Sequence, residues 1–262
     1  MNIKKSLIFV FLFSLPFISA NASEKKSYEM PRTHVTPIKN SETKGFNKLY
    51  IKLPKGYEEN SDTKYPVIYF TDPIYHIEIL STATEFMMEN VILVGVSWPK
   101  GMNLKFEKVD NYLNFLRKKV IKTIENNYRT DPDNRTYFGY SAGALVGAYI
   151  LSAQPDTFKN YILGSPALSN GPAITPKVFE LESNTAKKRK KLNANVFISY
   201  GSLEKELGKH ADEFITMLKN RKDNSLSLQH LVIEGNHQTA FPLTGVRSVT
   251  WLSSLTTDKE KP

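Results

Sequence analysis

Seven short runs rich in apolar and β-branched residues follow one another along this chain: KLYIKLP, YPVIYFTD, VILVGVSW, RTYFGY, NYILGSP, NVFISYG and LSLQHLVIEG. Helical patterns separate several of them. Strands that alternate with helices of about ten or more residues pair in parallel, because each crossover returns the chain to the same end of the sheet. The pattern therefore predicts an α/β fold: a mostly parallel central sheet with helices on both faces. The clearest helix is NYLNFLRKKVIKTIENNY, where Tyr112, Leu116, Val120 and Ile124 recur at i, i+4 and make one apolar stripe. It should end before RTDPDNRT, whose Pro132 and aspartates read as a loop. A second helix, GKHADEFITMLKNRK, sets Ala211, Phe214, Ile215 and Leu218 on one face. The stretch NGPAITPKVFELESNTAKK reads as part loop and part helix, and EKKSYEMPRTHVTPIKNSETKG as a polar leader into antiparallel edge strands.

The amino-terminal residues stand apart from this pattern. Lys4 and Lys5 precede the apolar stretch SLIFVFLFSLPFISA, and Ala20-Asn21-Ala22 precedes Ser23. That is the form of a signal peptide over residues 1–22 with an A-x-A cleavage site. The stretch is short for a span of about 20 residues and is broken by Pro16, so no membrane span is expected after its removal. The expectation is an exported protein, periplasmic or secreted, with residues 23–262 as one domain large enough to bury its own core. The chain has no cysteine, which excludes disulfides, thiolate metal sites and a lipid anchor on an N-terminal cysteine. Taking Lys4 and Lys5 from the formal charge of +9 leaves about +7. Much of the basic charge lies in Lys187 to Lys191, a run without the aromatic interleaving of a nucleic-acid surface; it reads as a solvated turn, and no nucleic-acid partner is expected.

One short stretch carries chemistry. Gly139-Tyr140-Ser141-Ala142-Gly143 fits G-x-S-x-G, and it lies between the strand stub RTYF and the helical run ALVGAYILSAQ, which stops before Pro155. That is the strand-turn-helix context of a nucleophile elbow, in which a sharp turn exposes the serine oxygen. Gly139 and Gly143 remove side chains that would collide where strand and helix pack closely, and Gly147 extends the small face. A serine hydroxyl becomes a competent nucleophile when a neutral imidazole takes its proton and a carboxylate orients that imidazole. Of five histidines, His34 lies in the leader, His76 after an early strand, His210 on an amphipathic helix and His230 within a strand. His237 follows the last strand in EGNHQTAF, a Gly-Asn loop able to turn back over the sheet's C-terminal edge, where open α/β sheets bind ligands. The acid should lie between serine and histidine. Glu204 and Glu206, in the loop after NVFISYG, are the candidates; Asp156, Glu180, Glu182 and Asp212 lack a preceding strand.

At these residues the chain resembles the esterase D-like (Putative esterase) family of α/β-hydrolases, which includes siderophore esterases and S-formylglutathione hydrolase. The likeness runs over roughly residues 45–255. YPVIYFTD resembles the strand ending in Leu-Asp-Gly, GYSAG the elbow, PDTFKNYILGSPAL the Pro-x-x-Phe to Ser-Pro stretch, YGSLEKE the Gly-x-x-Glu acid loop and EGNHQTAF the histidine loop. The resemblance implies an α/β-hydrolase fold and makes Glu204, three after Gly201, the acid. Three departures bear on substrate: Tyr140 replaces a common histidine, Ala144 a frequent glycine, and SPALSN lacks the tryptophans often found there. The segment from Trp98 to Asp110 is also short.

The chemistry expected is acyl transfer from a small-molecule ester through Ser141, with His237 as base and then acid, Glu204 as its carboxylate and water as acceptor. The Ala142 N–H would supply one oxyanion donor. Pro73 has no N–H, which leaves Ile74 as the second. Neither cofactor nor metal is called for. The same triad would serve an acyltransferase, and a non-catalytic exported binding protein of this fold is the remaining alternative.

Overall fold

The computed structural model describes residues 27–88, 90–102, 105–169, 174–188 and 191–257. The expected signal peptide, 1–22, and part of the basic run, Arg189 and Lys190, lie outside them. The chain divides into two units, Met1–Met30 and Pro31–Pro262, and the second carries every element below.

A hairpin of β1 (Thr33–Asn40) and β2 (Gly45–Lys52) opens the unit. There follow β3 (Tyr65–Thr71), α1 (Pro73–Met87), β4 (Ile92–Val96), α2 (Phe106–Phe115), a π turn (Leu116–Ile121) and α3 (Lys122–Asn127). The second half runs β5 (Thr130–Tyr140), α4 (Ala142–Ala153), β6 (Asn160–Gly164), α5 (Thr175–Lys188), β7 (Asn195–Gly201), α6 (Lys205–Asn220), β8 (Ser227–Ile233) and α7 (Ala240–Thr257). The eight strands form one sheet in the order β1-β2-β4-β3-β5-β6-β7-β8. β1 and β2 pair antiparallel, β2 meets β4 antiparallel, and every pair along β4-β3-β5-β6-β7-β8 is parallel. The mostly parallel sheet read from the sequence is the one observed.

Period-two alternation sorts the two faces. Val67, Tyr69, Val94, Tyr137, Tyr161 and Ile198 join a core shared with α2 to α6. Ile68, Phe70, Phe138 and Phe197 are equally buried but point the other way, toward α1 and α7: Phe138 meets His76, and Phe197 meets Trp251. Burial on both faces is why these strands read as continuous apolar runs.

Three local expectations change, and one becomes definite. Thr130–Tyr140 is one strand, and the expected loop at 131–134 is a bulge inside it: Tyr65 pairs with Thr130, and two residues on, Val67 pairs with Arg135. Pro132, which has no N–H to give a ladder, is carried in that bulge. The long helix begins earlier, at Phe106, and is interrupted by the π turn. All four stripe residues are buried. A stripe repeating every four residues drifts by about 40° per repeat on a 3.6-residue helix, and the wider i→i+5 turn takes up that drift. In the stretch read as part loop and part helix, the helix is α5, which buries Val178 and Glu182 against α4 and α6. Finally, α6 starts at Lys205, so Glu206 lies in its first turn and not in a loop.

The order β4-β3-β5-β6 contains the point where connections diverge: the chain leaves β3 toward β4 on one side and leaves β5 toward β6 on the other. The crevice at such a switch point, outside the strands' carboxyl ends, is where open α/β sheets hold ligands.

Candidate active site

Ser141 stands at that crevice. It follows the last residue of β5 with φ 54° and ψ −118°, a conformation non-glycine residues seldom adopt, and Ala142 opens α4 directly after it. Such backbone costs about 1–3 kcal/mol and persists only where its surroundings hold it. Here the Ser141 N–H donates to the Gly164 carbonyl at 2.9 Å, and the Ser141 carbonyl accepts from the N–H groups of Leu145 and Ala167, both at 3.1 Å. The turn also requires its glycines. A Cβ on Gly139 would overlap the Gly143 backbone, one on Gly143 would overlap Thr71 Oγ1, and one on Gly147 would lie 2.5 Å from both Leu163 and Tyr137. The Tyr137 hydroxyl donates to the Gly143 carbonyl at 2.8 Å and pins the start of α4.

Two helices begin at this edge. Ala142 is the first residue of α4 and Ile74 the second of α1, so both amides belong to the set that an α-helix leaves without intrahelical acceptors. The turn before Ile74 is held by Asp72, itself left-handed at φ 52°. Its carbonyl accepts from Tyr75 and His76 at 3.0 and 3.1 Å, and its carboxylate accepts from Trp98 Nε1 at 2.6 Å. The Ile74 side chain is exposed.

The acid loop folds back on itself. After Gly201 ends β7, the Ser202 N–H donates to the Ile233 carbonyl at 2.7 Å and the Leu203 N–H to the Gly235 carbonyl at 3.0 Å. This brings Glu204 beneath the loop after β8. Glu204 Oε1 lies 2.5 Å from His237 Nδ1, while Oε2 accepts from the Gly201 N–H at 2.6 Å and from Ser165 Oγ at 2.7 Å. The carboxylate is 6% exposed. A Cβ on Gly201 would stand 2.9 Å from Oε2, so the glycine makes room for the acid. Glu206, exposed on α6, does not meet His237.

His237 is presented by a turn that Asn236 builds, its Oδ1 accepting from the Gln238 and Thr239 N–H groups at 3.0 and 3.1 Å. With Nδ1–H donating to Glu204, the neutral ring keeps its Nε2 lone pair. The ring packs on Tyr140 at 5.1 Å between centroids, next in sequence to Ser141. Ser141 Oγ and His237 Nε2 share no hydrogen bond in this structure, a looseness common before substrate is bound.

The other histidines have partners elsewhere: His34 with the Tyr128 hydroxyl, His210 with Glu213 and His230 with Lys219. Three of the remaining acids are also engaged away from His237, Glu180 by Lys177, Glu182 by Arg221 and Asp212 by the Tyr200 hydroxyl. Three contributors were not legible as such. His76 is buried on α1 with Nδ1 2.7 Å from the Thr71 carbonyl and its ring against Phe241 at 4.7 Å; burial holds its pKa below the ordinary imidazole value. Tyr140 bonds the His237 carbonyl, and burial pushes its phenol up to about 12. Ser165 Oγ lies between Tyr140 Oη, at 2.9 Å, and Glu204 Oε2, at 2.7 Å. The one signal for Ser165 was its place in the Ser-Pro stretch. A groove of about 860 Å³ runs from the acid loop along α6 past Tyr200 and Phe179, but neither Ser141 nor His237 lines it.

The comparisons with known proteins bear on the fold and the family. Over 111 residues the chain is 31% identical to the ferri-bacillibactin esterase of Bacillus subtilis; the match covers 42% of this chain and 36% of that enzyme. Among solved structures, the BES protein from Bacillus cereus superposes with a TM-score of 0.75 at 21% identity, covering 88% of this chain and 98% of that one. An IroE-like serine hydrolase from Shewanella oneidensis gives 0.74 at 18%, covering 85% and 80%. At those identities the two structures establish the shared fold. The family model described as Putative esterase matches residues 41–261, and the chain belongs to that family.

Proposed function

We propose that the protein is an exported serine carboxylic-ester hydrolase that works through an acyl-enzyme on Ser141. One observation carries the reading: the 2.5 Å contact between Glu204 and His237 Nδ1, formed beside a serine held at φ 54° on an elbow. His237 Nε2 takes the Ser141 proton as Oγ attacks the ester carbonyl, and Glu204 stabilises the imidazolium that results. The Ala142 and Ile74 N–H groups receive the oxyanion; a donor of this kind is worth about 3 kcal/mol in the barrier. His237 then gives its proton to the leaving alcohol. Water, deprotonated by the same imidazole, releases the acid.

Small or exposed esters are the substrates, since the segment after Trp98 is short and α5 packs into the helical layer on α4. The name of the Bacillus subtilis relative makes iron-siderophore esters the first class to assay. Export rests on the amino-terminal pattern of residues 1–22. The test is labelling with a fluorophosphonate followed by mapping of the adduct. Modification of Ser141 with parallel loss of ester hydrolysis is expected; loss of activity with Ser141 unmodified would refute the assignment.

A further inference from the structure

The geometry points to Tyr140 and Ser165 as positioning residues, a pair of hydroxyls that tie the base and its carboxylate to the strand end carrying the nucleophile. The inference rests on the esterase reading above for its kinetic consequences, though not for its geometry.

The bonds are assigned by counting protons. The Tyr140 hydroxyl lies 2.6 Å from the His237 carbonyl, which only accepts, so the phenol donates its one proton there. Ser165 Oγ lies 2.7 Å from Glu204 Oε2 and 2.9 Å from Tyr140 Oη. Its single proton goes to the carboxylate, the charged and stronger acceptor. Both hydroxyls are buried, Ser165 completely, and Ser165 is held at φ 41° with its N–H on the Ser199 carbonyl at 2.6 Å.

The result differs for the two catalytic partners. Glu204 Oε2 receives two donors, the Gly201 N–H and Ser165 Oγ, which fixes the carboxylate's rotation and aims Oε1 at Nδ1. His237 is held twice, through its backbone carbonyl by the Tyr140 hydroxyl and through its ring by the Tyr140 face, with Phe241 edge-on behind at 5.0 Å. Because Tyr140 immediately precedes Ser141, the distance from nucleophile to base is set by one residue bonded to both. By this count no proton lies between Tyr140 Oη and Ser165 Oγ; the two oxygens touch at 2.9 Å, so removing one hydroxyl changes the surroundings of the other.

The two hydroxyls have distinguishable signatures. The Tyr140→Phe substitution keeps the ring and removes the tether, so kcat should fall about tenfold with KM nearly unchanged, as misplacement of a catalytic group does. In Ser165→Ala the carboxylate loses a donor and becomes more basic toward Nδ1–H, which raises the imidazolium pKa. The acidic limb of the pH–rate profile should move up by about half a unit. The double variant should lose less than the product of the single losses, because the pair is in contact.

The experiment compares the wild-type protein with the three variants by steady-state kinetics on an acetyl ester and by NMR titration of the His237 ring without substrate. Thermal melts verify folding. A kcat loss in Tyr140→Phe, with an upward His237 titration in Ser165→Ala, supports the assignment. Wild-type hydrolysis matched by both single variants, with unshifted His237 titration, overturns it. If the wild-type protein hydrolyses no ester while the titration still shifts, the positioning stands and the esterase reading falls. Should Ser165→Ala not fold, Tyr140→Phe alone decides, since unchanged kcat in that near-isosteric variant overturns the proposal.

Discussion

Two glutamates two residues apart, Glu204 and Glu206, offered the same chemistry, and their difference is one of placement. Glu204 precedes the first turn of α6, where its side chain can turn back over Gly201; Glu206 is already inside the helix and points to solvent. The Glu204→Gln variant keeps the size but presents an amide to Nδ1–H, and it should lower kcat by about 10³–10⁴. Glu206→Gln should stay within about twofold, as for a surface change away from the chemistry. Steady-state kinetics on one ester decides, and a crippled Glu206→Gln beside a near-normal Glu204→Gln would reverse the assignment.

Elements whose register is local were easier to read than those whose register comes from neighbours. The elbow was legible because Gly139, Gly143 and Gly147 report a close strand–helix approach in their own spacing. The bulge at 131–134 was not, because Asp-Pro-Asp-Asn reads as a loop and only pairing with β3 extends the strand through it. Nor was α5 fully legible, since part of what holds it is an ion pair with another element. Glu182 Oε1 meets Arg221 at 2.7 Å, with the two side chains 1% and 2% exposed. Removing one partner of a buried pair strands the other, so Arg221→Met should cost about 3–5 kcal/mol, and a second change, Glu182→Leu, should recover much of it. Burial already raises the Glu182 pKa. A carboxyl raised in the folded state favours folding most below its unfolded pKa, and that contribution is lost as pH rises through the folded value. The Arg221→Met penalty, measured by urea denaturation, should therefore be smaller near pH 4.5 than at pH 8.

At the scale of the whole molecule, His76 links stability to pH. It is 6% exposed, packed among Phe138, Tyr140 and Phe241, and burial depresses its pKa. Below about 6.5 the unfolded chain takes up a proton that the folded site refuses. This contribution is complete above that pH and is lost as pH falls toward the folded pKa. The Tm difference between pH 7.5 and pH 5.5 should shrink in His76→Asn relative to the wild-type protein; an unchanged difference would show that another group sets it. The open edge at Ser141 bears on substrate size. The ratio kcat/KM should be greater for acetyl and butyryl esters than for octanoyl and palmitoyl, and a chelator should leave it unaltered, since in the proposed mechanism imidazole and the two amides supply proton transfer and charge stabilisation. A preference for palmitoyl, or activity lost to chelator and restored by metal, would overturn this.

The sequence by itself determined the layered α/β architecture and the strand-turn-helix at Ser141, and it offered a serine, an acid and a histidine in the order that the proposed mechanism needs. These are written in near-neighbour spacing: apolar runs for strands buried on both faces, i, i+4 stripes for helices, glycines where backbones approach. Only the tertiary structure decided what surrounds them. Tyr140 reaches His237 across 97 positions and Ser165 reaches Glu204 across 39, so no local pattern could register either bond. The strands β5, β6 and β7 bring those residues to one edge of the sheet, with β8 leading into the histidine loop, and burial there converts ordinary hydroxyls and an ordinary histidine into the supports of a site.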